Sequence, residues 1–206
     1  MPLSALSDLQ KDALTELFNI GVSRAAACLS EIVADEILLS APKIELFHPS
    51  AVSVDEFMVF DGPIGSVTQR FTGGIETEVL LLFPEKQALE IIHDMLGNTV
   101  SLSEFTEFEQ EAMCEIGNVI LNACVATMAD LLGVDFESSM PIYAIENFTT
   151  ILHRAIHNPG QPLLLLLHIN MIIERHQSQG YLMFLMTIPS LNALRAHLDR
   201  FLENIR

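Results

Sequence analysis

The sequence predicts an α+β fold, two pseudo-symmetric α-β repeats whose long surface helices pack on an antiparallel-rich β-sheet core. Three observations predict it. The segment Asp12-Ala-Leu-Thr-Glu16-Leu-Phe-Asn19-Ile20 returns without a gap as Glu111-Ala-Met-Cys-Glu115-Ile-Gly-Asn118-Val119. A proline follows each, Pro42 and Pro141, so that paired positions stay 99 residues apart. Downstream, an apolar run from Gly74 to Phe83-Pro84 and another from Gly180 to Ile188-Pro189 match more loosely, 105 or 106 residues apart. Long helical patterns followed by short apolar runs between turn residues suit helices laid on hairpins. The expectation is a single domain over 1–206, with internal repeats of about 7–100 and 106–206.

Helix one is expected over 7–33, with Ser7 or Asp8 as N-cap, and helix two from 103 or 106 to 132, closed by Gly133. Apolar and alternating runs predict first-half strands at 36–39, 43–47, 52–59, 66–72 and 76–82, then a helix at 85–96 closed by Gly97-Asn98. The second half gives strands at 139–145, 163–173 and 181–187, with helices at 148–156 and 191–205. The five leucines of 163–167 form the most apolar stretch. His168 and Asn170 interrupt it far short of the roughly 20 residues of a spanning helix, so it reads as a buried strand.

Hydrophobic residues make up 50% of the 206 residues and charged ones 18%, a balance that excludes a disordered chain. The net charge of −17 leaves no general means of neutralising phosphate backbones, so nucleic acid is excluded as a partner class. The same acidity would be repelled by an anionic membrane and favours soluble partners that offer a lysine or a basic rim. Cys28, Cys114 and Cys124 lack C-x-x-C spacing and are expected to pack as small hydrophobes in a reducing cytoplasm. The N-terminus has neither a basic region nor a long apolar run, and carries Asp8 and Asp12, so no export signal is expected.

At 100° per residue, Asp12, Glu16, Asn19 and Ser23 fall within about 60° of one another on one helix face. The opposite side carries Ala13, Leu14, Leu17, Phe18, Ile20 and Ala25. Helix two repeats the scheme, with Glu111, Glu115, Asn118 and Asn122 opposite Ala112, Met113, Ile116, Val119, Ile120, Ala123 and Cys124. One such stripe is what any surface helix shows to water. Its repetition, with a poor helix former at the same mid-helix position twice, points to a demand on residue type, with common ancestry by duplication as the competing explanation. No His or Cys completes a metal site or a nucleophile–base pair on these faces. A carboxylate can pair with a partner's lysine, and a carboxamide can hold a water beside a phosphoryl group. Orienting a water for in-line attack hastens phosphoryl transfer when the partner brings its own metal ion.

Asp12-x3-Glu16-x2-Asn19-x22-Pro42 and Glu111-x3-Glu115-x2-Asn118-x22-Pro141 resemble the doubled signature of the CheC-type chemotaxis phosphatases, a family that includes CheX and the phosphatase part of FliY. Asn19-Ile20-Gly21 followed by Ala25-Ala26-Ala27, and Glu115-Ile116-Gly117-Asn118, strengthen the match, which covers nearly the whole chain. The resemblance implies a phosphatase acting on the aspartyl phosphate of a CheY-like response regulator. Glu16 and Glu115 would dock the regulator's lysine, and Asn19 and Asn118 would place the attacking water. Asp12, Ser23, Glu111 and Asn122 would complete the partner-binding faces, and Pro42 and Pro141 would shape the following turn. No cofactor or metal is implied for this chain, the regulator supplying Mg²⁺, and the deamidase CheD is a further partner that some family members bind. The resemblance carries an alternative, a non-catalytic CheC-fold adaptor for a receiver domain or CheD. Phe18 stands where the second motif has Gly117, and Ser23 where the first motif commonly has glycine. The absence of a flagellar-switch domain after Arg206 speaks against a full FliY-like component. Glu111, one turn from Glu115, adds repulsion of a few tenths of a kcal/mol. His153 and His157, at i, i+4 without an intervening H-E-x-x-H glutamate, read as ordinary histidines. The acidic residues Glu104, Glu107, Glu109 and Glu111 at the start of helix two complement its dipole.

Overall fold

The computed structural model describes residues 6–33, 36–47, 62–87, 92, 105–157, 163–173 and 176–205. The chain runs α1 (Asp8–Val33), β1 (Ile37–Phe47), β2 (Ile64–Gly73), β3 (Thr77–Pro84), α2 (Phe105–Leu132), β4 (Phe136–Ser138), β5 (Ile142–Glu146), α3 (Phe148–His157), β6 (Leu163–Ile173), β7 (His176–Met186) and α4 (Ile188–Ile205). The expected strand at 52–59 and most of the expected helix at 85–96 lie outside the described residues, although 85–87 and 92 are helical.

Ser7 caps α1 in a reciprocal box: its Oγ accepts from the Gln10 N–H at 3.2 Å, and Gln10 Oε1 accepts from the Ser7 N–H at 2.9 Å. Gln10 Nε2 also donates to Asp199 Oδ1 at 2.7 Å, tying the start of α1 to α4. Gly133, with φ of 62°, ends α2, because only a residue without Cβ enters that region freely.

All strand pairs are antiparallel, in the order β1-β6-β7-β3-β2, with β4 and β5 both on the far side of β2. The first strand of each repeat thus pairs with the second strand of the other, and β3 and β7 meet in the middle. The sheet is an interlaced pseudo-dimer.

Three expectations about strands are corrected. The runs at 36–39 and 43–47 form one strand, β1, through Pro42, because β1 lies at the end of the sheet and the ladder slips there. Ser40 faces Asn170 while Lys43 faces His168, three steps against two. Of the run at 139–145 only 142–145 is strand, as part of β5; 139–141 belong to no strand, and the short β4 precedes them. Ser138 faces Phe71 while Ile142 faces Thr68, four steps against three, so one residue is also inserted beside Pro141. Strand β7 starts at His176, well before the expected Tyr181, because its polar leading half is paired along β6.

The slip reverses the alternation of side chains. Ile37, Leu39 and Ala41 face the main core before it, and Ile44 and Leu46 after it. That core lies between the sheet and helices α1, α2 and α4, while Phe148, Ile151 and Leu152 of α3 cover the other face over Leu80, Leu82, Leu164, Leu166 and Met183. Where α1 and α2 cross, Gly21 sits so close that a Cβ there would lie 2.8 Å from the Cys124 Cα. Arg24 Nη1 joins the two helices by donating to Thr127 Oγ1 at 3.2 Å and Asp130 Oδ2 at 3.1 Å. Over Gln110–Leu132, α2 is the one helix among the described residues long and apolar enough to cross a membrane. Half of that window is buried within the fold, as a core helix requires.

Candidate functional site: two acid–amide clefts

The apolar stripe of each long helix docks on the sheet, and this turns the acid–amide stripe outward. Asp12, Glu16 and Ser23 are exposed and Asn19 is half-buried; Glu111 and Glu115 are exposed, Asn118 and Asn122 half-buried. The first cleft, about 460 Å³, is lined by Glu16, Asn19, Ile20, Ser23, Arg24 and Ala27. Asp12 lies a turn outside that lining, and Pro42 sits at the β1 slip. The second cleft, about 530 Å³, brings Glu111, Glu115, Asn118 and Pro141 together with Gln69, Gln110, Cys114, Ser138, Ser139 and Met140. Asn122 stands behind Asn118 and outside the lining.

The two amides are held differently. Asn19 Oδ1 accepts the Ala41 N–H at 3.0 Å, at the slip beside Pro42. This bond gives the Asn-x22-Pro spacing a physical meaning in the first repeat: the amide satisfies a backbone donor next to the ladder's irregularity. Asn118 Oδ1 instead accepts from Asn122 Nδ2, which also donates to the Asn118 carbonyl at 2.9 Å.

Phe18 belongs to the core. It is fully buried and its ring lies 5.1 Å from that of Phe184 in β7, on the side of α1 away from the cleft. Its counterpart Gly117 faces Val67, whose side chain leaves no room for a Cβ. The cysteines are corrected as a group: only Cys124 is a buried core thiol, whereas Cys28 is exposed and Cys114 is half-buried at the second cleft. Burial pushes the Cys124 thiol up to about 12 and raises that of Cys114, against a hydrogen bond with the Tyr143 backbone, so both stay neutral at pH 7.

Sequence reasoning missed Gln69 and Arg24. Gln69 is buried beneath the second cleft; its Nε2 donates to the Ser139 carbonyl at 2.8 Å, and its buried Oε1 has no hydrogen-bond partner. The signal was a polar residue at the inward parity of β2, between Val67 and Phe71. Among the described residues no group of His, Cys, Asp and Glu is placed to hold a metal ion. The clefts offer carboxylates that can pair with a cation and amides that can hydrogen-bond an oxyanion or a water.

Fold and clefts together define an interlaced α+β scaffold that repeats one acid–amide surface on two helices. Comparison with known proteins narrows this. No family model matches the chain. The CheY-P phosphatase CheC of Bacillus subtilis is 23% identical over 161 residues, 77% of each chain. Among solved structures, Thermotoga maritima FliY superposes with a TM-score of 0.77 at 23% identity, covering 96% of this chain and 99% of that one. The FliM middle domain of H. pylori gives 0.65 at 11% identity, over 93% and 99%. CheX in the CheX-CheY-BeF3-Mg complex of Borrelia burgdorferi gives 0.52 at 16%, over 83% and 96%. The chain has the fold of FliY and CheX, and its sequence is similar to that of CheC. That fold is also the fold of the FliM middle domain.

Proposed function

We propose that the chain is a protein phosphatase that hydrolyses the aspartyl phosphate of a CheY-like response regulator in the cytoplasm. The observation that carries this reading is the second cleft, where Glu115 and Asn118 lie one helical turn apart in a concavity open to a partner surface. Glu115 pairs with a lysine of the receiver and fixes its approach. Asn118 meets the phosphoryl group or its attacking water, while the receiver brings Mg²⁺. Glu16 and Asn19 make the corresponding pair on α1. With Glu16 and Glu115 engaged by the partner's lysine and no histidine among the residues that line either cleft, the catalytic contribution is positioning, and the partner's own chemistry supplies the rest.

A second reading is an adaptor that binds a receiver or CheD without turnover. It is favoured by the fold, which the chain shares with the FliM middle domain as well as with FliY. The decay of a phosphorylated receiver with Mg²⁺ and catalytic amounts of this chain decides between them. Faster decay with wild type, and not with Asn19→Ala/Asn118→Ala, supports the phosphatase. Binding of the phosphorylated receiver with an unchanged phosphate lifetime supports the adaptor.

A further inference from the structure

The two stripes differ at the residue one turn after the amide, which is Ser23 on α1 and Asn122 on α2. Asn122 Nδ2 donates to the Asn118 backbone carbonyl and to Asn118 Oδ1. This pair of bonds fixes the direction of both amides. A backbone carbonyl only accepts, so the Asn122 group beside it must be the nitrogen; the Asn118 group facing that nitrogen must then be the oxygen. The end of Asn118 left for the cleft is Nδ2, with two N–H donors that bond no other described residue. On α1 the same orientation arises from a different partner, because Asn19 Oδ1 faces the Ala41 N–H, a group that can only donate. Two unrelated bonds thus hold the amide oxygen away from the ligand.

We infer that Asn122 is a positioning residue, which holds the Asn118 oxygen inward and turns the Asn118 Nδ2 donors toward the phosphoryl group or the oxygen of its attacking water. The inference rests on the phosphatase reading for its consequence, and on the Asn118–Asn122 bonds for its geometry. A free asparagine side chain samples several rotamers and both faces of its amide. Holding it removes that freedom before the partner arrives, which acts on turnover and not on docking.

The test uses the 206-residue chain carrying Asn19→Ala, so that the second cleft acts alone. Adding Asn122→Ala lowers kcat about fivefold, the scale of one lost hydrogen bond, and leaves KM for the phosphorylated receiver unchanged. Asn122→Asp lowers kcat further, since a carboxylate cannot donate and draws the Asn118 nitrogen inward. A risen KM with kcat held would mean that Asn122 touches the receiver directly, and unchanged kinetics with a lowered melting temperature would leave it only a helix brace; either overturns the inference. The Asn118 side-chain ¹⁵N–¹H resonances report the hold without turnover. They shift in Asn122→Ala, and the hold is refuted if they do not. Should wild type hasten the decay of no receiver, the phosphatase reading fails while these resonances still decide the geometry.

Discussion

Asn19 and Asn118 occupy one position in two helices, yet their removal has different consequences. Asn19→Ala leaves the Ala41 N–H without its partner beside an irregular ladder, and is expected to cost about 1 kcal/mol. Asn118→Ala removes only a bond within its own helix surface and is expected to cost a few tenths. Paired urea titrations check this, and equal shifts in midpoint would contradict it. The thiols follow the same logic of surroundings. Iodoacetamide at pH 8 should label exposed Cys28 first and Cys114 slowly, and reach Cys124, pushed up to about 12 by burial, only on unfolding. Peptide mass spectrometry reads the order, and early labelling of Cys124 would contradict it. The stripe residues were legible in the sequence because repetition singled them out. The partner of each amide was not: Ala41 offers a backbone group that no pattern marks, and the stripe places Asn122 beside Asn118 without showing that the two amides bond.

Helix spacing over the sheet is set by two glycines with different neighbours. At Gly21 an added Cβ meets the backbone of Cys124, whereas at Gly117 it meets the side chain of Val67. Gly21→Ala must therefore push α1 and α2 apart, at about 1–3 kcal/mol, and no side-chain change opposite relieves it. Gly117→Ala is expected to be destabilising alone and substantially rescued by Val67→Ala, a coupling that a double-mutant cycle measures. Additive effects at Gly117 and Val67 would refute the contact. At the edge strand, burial pushes the Glu45 carboxyl up, but Lys43 Nζ at 2.7 Å and His168 Nε2 at 3.0 Å outweigh this and leave it below its ordinary range. A depressed carboxyl contributes stability above its unfolded value of roughly 4.3, lost as pH falls through the folded one. Glu45→Gln should accordingly flatten the loss of stability on acidification, and an unchanged acid limb would remove Glu45 from the account. The helices whose full span is described were legible to within three residues from caps and stripes, the last one starting at Ile188 where 191 was expected. The strands flanking Pro42 and Pro141 were not, because proline reads as a break until one knows that the strand lies at the sheet's end and carries an extra residue.

At the scale of the molecule, the repeat seen in the sequence does not divide the chain into two folding units. β1 has its partner in β6 of the second half, and β4 and β5 have theirs in β2 of the first. A chain cut at residue 102 leaves the first half with β1 unpaired and the second with β4 and β5 unpaired. Each half also exposes the helix face that the other should cover at the Gly21–Cys124 crossing. Neither 1–102 nor 103–206 is expected to melt cooperatively alone, while an equimolar mixture should recover a cooperative transition by circular dichroism. A half that melts cooperatively by itself would show that the interlacing is dispensable. The second cleft sharpens the prediction because it is built across the cut. Gln69 Nε2 holds the Ser139 carbonyl, and the Arg70 N–H donates to Ser139 Oγ at 3.0 Å, so β2 of the first half shapes the rim around Asn118 of the second. If the phosphatase reading holds, 103–206 alone should leave the receiver's phosphate lifetime unchanged although it carries Glu115 and Asn118, and adding 1–102 with Asn19→Ala should restore turnover. Restoration by that inactive partner would place the working site in α2 while assigning its shape to the strand that the other repeat supplies.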